Sequence, residues 1–342
     1  MRYLPPPYFL LPVTQIDHSN LAPPTKLMQP TTALGNTQTD HHDLVREIET
    51  GLLSESPSIS PKFLYDPLGS HLFTAITLIP EYYPTNTEKD IFSRFEQQIT
   101  DAMGVGGTLI DLGAGNCEKA EYFFNSLKPK NYLAVDFSIE YLEDATAKLA
   151  GKYPQINVQC MSMDFSKKIQ IPESIPETDR VFFYPGSSIG NFLTSEALHL
   201  LCQIKDQARG GGLLFGVDLM KEDSILKLAY DDPLRVTAAF NLNILNSVNS
   251  LIGSNFKIEQ FTHKVMINHA ESRVELFLET LEKVTITWPG HSRVFNKGEL
   301  IHTENSHKYT VESIGALLNQ AGFKTTQIWT DSKKYFAVIY AE

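Results

Sequence analysis

Two glycines one residue apart, Gly113 and Gly115, close the apolar run Thr108-Leu-Ile-Asp-Leu112 and lead straight into a stretch of helical periodicity. Strand, glycine turn and helix in that order form a cradle, because a backbone without Cβ atoms can take unusual φ angles and lie against a ligand. About twenty residues further on, a second apolar run, Tyr132-Leu-Ala-Val135, ends in Asp136, where a doubly wound sheet places the carboxylate that binds a ribose hydroxyl pair. The pair implies a nucleoside. Glu118 stands where Gly-x-Gly-x-x-Gly needs its third glycine, which argues against a pyrophosphate and so against a dinucleotide dehydrogenase. An adenosine cofactor without a diphosphate needs only the first two glycines. S-adenosylmethionine meets that description, and a methyltransferase becomes the leading class. A cofactor-binding protein without catalysis is the rival from another class.

The elements that must hold these residues alternate. Strand 107–112, helix 116–127, strand 131–135, helix 138–150 and strand 156–160 give βαβαβ, followed by strand 180–184, helix 194–208 and strand 212–217. Ligands of open α/β sheets sit beyond the carboxyl ends of the strands. Gly113, Asp136, Asp164, the turn Gly186–Asn191 and Asp218 should therefore rim one crevice. A helical stretch from Met220 to about Asn243 then gives way to alternating segments 257–268 and 272–288, which read as antiparallel strands. Helix 310–321 and strand-like runs 325–329 and 335–340 return the chain to the parallel sheet. The expected fold is α/β: a Rossmann-like methyltransferase core, residues 87–220 with 308–342, carrying an inserted mixed α+β substrate-binding domain, residues 41–86 with 221–307. Residues 1–40, rich in Pro, Thr, His, Asn and Gln without a sustained period, read as an irregular arm.

Composition narrows the partners. With 342 residues, 42% of them apolar, the chain can fill one large or two ordinary domains. A net charge of −11 leaves no basic surface for a phosphate backbone, so small molecules are favoured over nucleic acid. No apolar run reaches membrane length, and prolines interrupt the apolar start at Met1-Arg-Tyr-Leu-Pro-Pro-Pro7. Three scattered cysteines fit a reducing compartment, and ten scattered histidines give no metal pattern. A cytoplasmic monomer without a metal is the expectation.

Several blocks coincide in order: Tyr65-Asp-Pro-Leu-Gly-Ser-His-Leu-Phe73, Pro80-Glu-Tyr-Tyr-Pro-Thr85, Leu112-Gly-Ala-Gly-Asn-Cys-Glu-Lys119, Gly186-Ser-Ser-Ile-Gly-Asn191, Ala229-Tyr-Asp-Asp232, Val236-Thr-Ala-Ala-Phe-Asn241 and Thr303-Glu-Asn-Ser-His-Lys-Tyr309. From about residue 43 to the end, the chain closely resembles the L-histidine Nα-methyltransferase family of ergothioneine biosynthesis. The resemblance implies an enzyme that uses S-adenosylmethionine to methylate the α-amine of histidine three times, giving hercynine. It implies that Gly113, Lys119, Asp136, Asp164 and Phe165 hold the cofactor, with Gly115 completing the turn. It further implies that Tyr82, Asn191 and Tyr230 hold the amino acid, the last two near its carboxylate, that Glu304 and Ser306 take the imidazole, and that Tyr65 lies near the α-amine. Relatives in the same fold methylate other small amines. The glycine turn departs from the family's usual Ser-Gly-Thr-Ser by reading Ala-Gly-Asn-Cys, and Leu276 replaces a methionine that packs on the imidazole.

Methyl transfer from a sulfonium to an amine is an in-line displacement, so alignment and a neutral amine matter more than a protein nucleophile. Water or Tyr65 could accept the ammonium proton. Blander readings stand beside these roles: Tyr82-Tyr83 as a packed aromatic corner, Asn191 as the cap of the helix near Thr194, and Asp231-Asp232 as a solvated helix face.

Overall fold

The computed structural model describes residues 41–137 and 139–342; the expected arm, 1–40, lies outside the described residues. The chain runs α1 (His41–Leu53), α2 (Pro67–Ile76), α3 (Tyr83–Met103), β1 (Thr108–Leu112), α4 (Glu118–Glu121), α5 (Phe124–Leu127), β2 (Asn131–Asp136), α6 (Ile139–Lys152), β3 (Asn157–Ser162), β4 (Arg180–Tyr184), α7 (Thr194–Ala208) and β5 (Leu213–Asp218). It continues through α8 (Asp223–Tyr230), α9 (Val236–Ile252), β6 (Phe261–Asn268), β7 (Arg273–Thr280), β8 (Val284–Trp288), β9 (His291–Phe295), β10 (Leu300–His307), α10 (Val311–Gln320), β11 (Thr325–Thr330) and β12 (Phe336–Ala341).

Seven strands form one sheet in the order β11-β12-β5-β4-β1-β2-β3. Every residue of β1, β4, β5 and β12 is buried, as expected of strands covered on both faces. Because successive side chains point to opposite faces, Ile110, Leu133, Phe182 and Phe215 enter one apolar core, while Leu109, Tyr132, Phe183 and Leu214 enter the other. The strand order reverses between β1 and β4, so the turns after these two strands flank the point where open sheets bind ligands.

Three expectations are corrected here. The runs near 325–329 and 335–340 join the sheet, but β12 is antiparallel to both β5 and β11. A turn centred on Asp331-Ser-Lys-Lys334, whose first carboxylate accepts the N–H groups of Lys333, Tyr335 and Phe336, is too short for a parallel crossover. The single helix expected over 116–127 is two short helices, since Cys117 takes a left-handed φ of 62° before α4 and the chain breaks again at Tyr122-Phe123. The helical stretch after Met220 divides at Pro233 into α8 and α9.

A three-stranded antiparallel sheet, β10-β7-β6, and the hairpin β8-β9 make up the remaining strands. A third apolar core joins α1 (Ile48, Leu52) and α9 (Ile244, Val248) to Leu278 of β7 and Ile301 of β10. β10 holds one residue more than its partner between His302 and Glu304. Past its end, Tyr309 exchanges backbone hydrogen bonds with Asp218 and Met220 at 2.9 Å. This seam lays the last residues of β10 beside the carboxyl end of β5.

Candidate active site

The glycine turn follows from local chemistry. Gly113 and Gly115 have φ of 70° and 53°, and a Cβ built on either would meet nothing within 4 Å. The Gly113 and Ala114 N–H groups donate to Val135 O at 2.8 and 3.1 Å, pinning the turn to the end of β2. Asp136 stands there, its carboxylate accepting the N–H of Gly115 at 2.9 Å and of Phe137 at 2.7 Å. A carboxylate has further lone pairs for a hydroxyl pair. An open backbone cradle beside an oriented carboxylate fits the adenosine part of S-adenosylmethionine.

Lys119 is held by a residue that sequence reasoning missed. Its Nζ lies 2.6 Å from Glu88 Oε2, and Glu88, buried on α3, accepts the Gly186 N–H at 2.7 Å through its other oxygen. One carboxylate thus ties the helix after the glycine turn to the turn after β4. Asp164, past β3, is 3.1 Å from Lys62, whose ammonium also reaches Glu47 at 2.7 Å. Burial alone would raise the Asp164 carboxyl, but the Ser166 hydroxyl and the Lys62 ammonium hold it below its ordinary value. Phe165 packs edge-on against Tyr184 at 5.9 Å.

The expected substrate residues meet in one cleft. Tyr65, Tyr82, Asn191, Tyr230, Glu304 and Ser306 all line it, with Phe73, Phe240, Thr237, Leu276 and Asp218. Counting its open mouth and the solvent in it, the cleft encloses ≈ 580 Å³. Gly186 and Ser188 also line it, so the turn tied to Lys119 borders both halves of the site.

Each cleft residue has a distinct support. Tyr65 follows the short helical turn Pro61–Leu64 and is wedged between the rings of Phe73 and Phe240 at 5.6 and 5.5 Å. Burial, with the negative charges of Glu304 and Asp136 nearby, pushes its phenol well above the ordinary value. Tyr65 is therefore a neutral phenol in the ligand-free protein, suited to orienting an amine. Tyr82 packs edge-on against Tyr230 at 6.2 Å, and Tyr83 against Tyr335 at 5.7 Å.

Asn191 ends the turn after β4. Gly190 before it must lack a side chain, because a Cβ there would come within 2.9 Å of the His307 carbonyl oxygen. That close approach brings the Asn191 amide to Glu304. Burial pushes the Glu304 carboxyl up to about 7, against the pull of Lys308 and of the Asn191 hydrogen bond. The capping role near Thr194 belongs instead to Glu196, which accepts the Leu193 N–H at 2.8 Å. Asp232 is also not solvated: it is buried and accepts the N–H groups of Val236 and Thr237 at the start of α9. Glu304 lies opposite Leu276 in the β10–β7 ladder, and Ser306 opposite Val274.

Behind the cleft lies a buried ionic cluster that the sequence did not announce. Asp218 receives Lys221 at 2.6 Å and Lys308 at 2.9 Å, together with the Tyr83 hydroxyl at 2.6 Å. Burial would raise the Asp218 carboxyl, but Lys308 and Lys221 hold it low; burial brings Lys221 down to about 8 despite Asp218. The available signals are the place of Asp218 at a strand end on the crevice and the position of Lys308 inside the Thr303–Tyr309 block. Among the described residues, no group of histidines, cysteines and carboxylates could hold a metal ion, and no helix is long and apolar enough to cross a membrane.

Comparisons with known proteins agree with this geometry. The family model described as "Histidine-specific methyltransferase, SAM-dependent" matches residues 44–342. The histidine N-alpha-methyltransferase of Mycolicibacterium smegmatis is 34% identical over 306 residues, covering 87% of this chain and 94% of that protein. That of Mycobacterium tuberculosis is 31% identical, covering 88% and 95%. Ergothioneine biosynthesis protein 1 of Schizosaccharomyces pombe is 28% identical over 76% of this chain, which spans 36% of that longer protein. With nearly its whole described length matched, the chain belongs to the S-adenosylmethionine-dependent histidine-specific methyltransferase family.

Proposed function

We propose that this protein methylates the α-amine of L-histidine three times to give Nα,Nα,Nα-trimethylhistidine, hercynine, as a step of ergothioneine biosynthesis. The names of the relatives support the substrate and pathway. The observation that carries the reading is the single cleft lined by Tyr65, Tyr82, Asn191, Tyr230, Glu304 and Ser306. We assign cofactor binding to residues 87–220 with 308–342 and substrate binding to 41–86 with 221–307, in a cytoplasmic monomer acting on a free amino acid.

S-adenosylmethionine would be held by Gly113, Gly115, Lys119, Asp136, Asp164 and Phe165, and when bound supplies an electrophilic methyl group. The chain's own residues have three tasks. Glu304, in its ionised form, accepts an N–H of the imidazole, and Ser306 meets the other ring nitrogen. Tyr230 and Asn191 hold the carboxylate. Ring and carboxylate are the groups that three rounds of methylation leave unchanged, so recognition by them lets the partly methylated amine turn without leaving. In the first two rounds, while the neutral amine still carries an N–H, Tyr65 as a neutral phenol receives a hydrogen bond from it and orients its lone pair; in every round the ammonium proton departs to water.

The test is incubation of the protein with S-adenosylmethionine and a panel of free amino acids, read by mass. Histidine should gain three methyl groups, and histamine, without a carboxylate, should be a very poor substrate. Equal turnover of histamine would refute the carboxylate assignment; methylation of a different amino acid would refute the substrate.

A further inference from the structure

Lys308 follows the strand that carries Glu304 and Ser306, and its side chain is fully buried. An ammonium has three hydrogens and accepts none. Three oxygens surround this one: Ser306 Oγ at 2.7 Å, Tyr230 Oη at 2.8 Å and Asp218 Oδ2 at 2.9 Å. Asp218 is fixed through Oδ1 by Lys221 and through Oδ2, which Lys308 shares, by the Tyr83 hydroxyl, so Lys308 has a rigid anchor. Both hydroxyls must therefore accept from Lys308. They also lie 2.7 Å from each other, with either able to donate. One hydroxyl hydrogen is consumed between them, and one is left for the cleft that both line.

We propose that Lys308 is a positioning residue that fixes the donor order of Tyr230 and Ser306, so that the substrate carboxylate and ring are recognised as one coupled event; this rests on the histidine reading above. If Tyr230 donates to the carboxylate, Ser306 must donate to Tyr230 and can only accept an N–H from the ring. If Ser306 instead donates to a bare ring nitrogen, Tyr230 must donate to Ser306 and is lost to the carboxylate. A ligand with a carboxylate selects the first order. The ring then presents one N–H to Ser306 and shares one further proton with Glu304. Without Lys308, no shared donor clamps the two oxygens at 2.7 Å; they can part, each hydroxyl keeps its hydrogen for the ligand, and the two contacts become independent.

The test uses calorimetric binding of histidine and histamine to the protein saturated with S-adenosylhomocysteine, in wild type, Lys308→Met, Tyr230→Phe and the double variant. Lys308→Met keeps the apolar stem. It should weaken histidine about tenfold or more while changing histamine by less than about threefold. Tyr230→Phe should show the same pattern, and the double variant should be no weaker than the worse single within about threefold. Equal losses for both ligands, or additive single effects, would reduce Lys308 to support of the fold and overturn the proposal. Wild type that binds S-adenosylhomocysteine but not histidine would refute the substrate reading instead. In that case a stability cycle between Lys308→Met and Ser306→Ala, without ligand, decides the network: additivity overturns it.

Discussion

The two halves of the site are built from different material. The cofactor half centres on main chain, a glycine turn whose N–H groups are bound to Val135 and to Asp136 about twenty residues on, with the side chains of Lys119, Asp136, Asp164 and Phe165 around it. The substrate half is side chain, drawn from Tyr65, Tyr82, Asn191, Tyr230, Glu304 and Ser306, and it rests on a buried ionic cluster. Backbone contacts do not depend on side-chain identity, which explains how Ala114, Asn116 and Cys117 can stand where the family usually has hydroxyl residues. A side-chain site has no such tolerance: each buried polar group left unpaired costs about 1 to 3 kcal/mol.

The sharpest way to break this contrast is Glu304→Ala. It should lower kcat/KM for histidine by about ten- to a hundredfold, roughly 1.5 to 3 kcal/mol, with a much smaller loss on tryptophan. Equal proportional losses on both substrates would mean that Glu304 supports the fold without reading the ring. Asp136→Ala is the matching change in the other half, expected to weaken S-adenosylmethionine by about 1 to 3 kcal/mol in calorimetry. Unchanged affinity in a folded variant would show the ribose carboxylate to be misplaced.

A smaller effect is expected in pH dependence. Free Glu304 ionises near 7 because it is buried, and the histidine ring near 6.5. If the complex holds one proton between them, histidine binding must take up a proton above pH 7, where both partners have lost theirs. Affinity should then fall by up to about tenfold from pH 7 to 8. Glu304→Gln, which cannot take that proton, should stay flat over the same range in isothermal titration. A basic limb kept by the Gln variant would assign it to another group. The smallest effect is Ala114→Ser, which restores a family hydroxyl at the turn and should change S-adenosylmethionine affinity by less than about 0.5 kcal/mol. A large gain would mean that the side chains of the turn itself matter after all.

The same contrast explains what could be read from sequence. The strands of the main sheet were legible because burial on both faces makes continuous apolar runs, and β1 and β2 end in the glycines and acid that mark a nucleoside site. The direction of β12 leaves no mark in its own residues; it follows from the short connection before it, the five residues 331–335. Helix α3 starts inside the Tyr82-Tyr83-Pro84 corner, and its aromatic first residues hid the helix and with it Glu88. Lys308 stands in its sequence block with no visible role, because its partner Tyr230 is 78 residues away. Pairings of that kind become visible only when Tyr309, just past β10, is seen bridged to Leu219, just past β5.

The extra residue in β10 makes the strand unequal in its tolerance of length. Thr303 is the added residue, its hydroxyl donating to Leu276 O. Losing it would join His302 to Glu304 in regular alternation, and every pairing from Glu304 onward would keep its partner. Losing Asn305 would instead turn Ser306 and Lys308 to the opposite face relative to Glu304, since one step reverses a strand's sides. The strand therefore has one joint at which insertions and deletions can be absorbed, and a rigid stretch beyond it where the reading frame of the recognition groups must be kept.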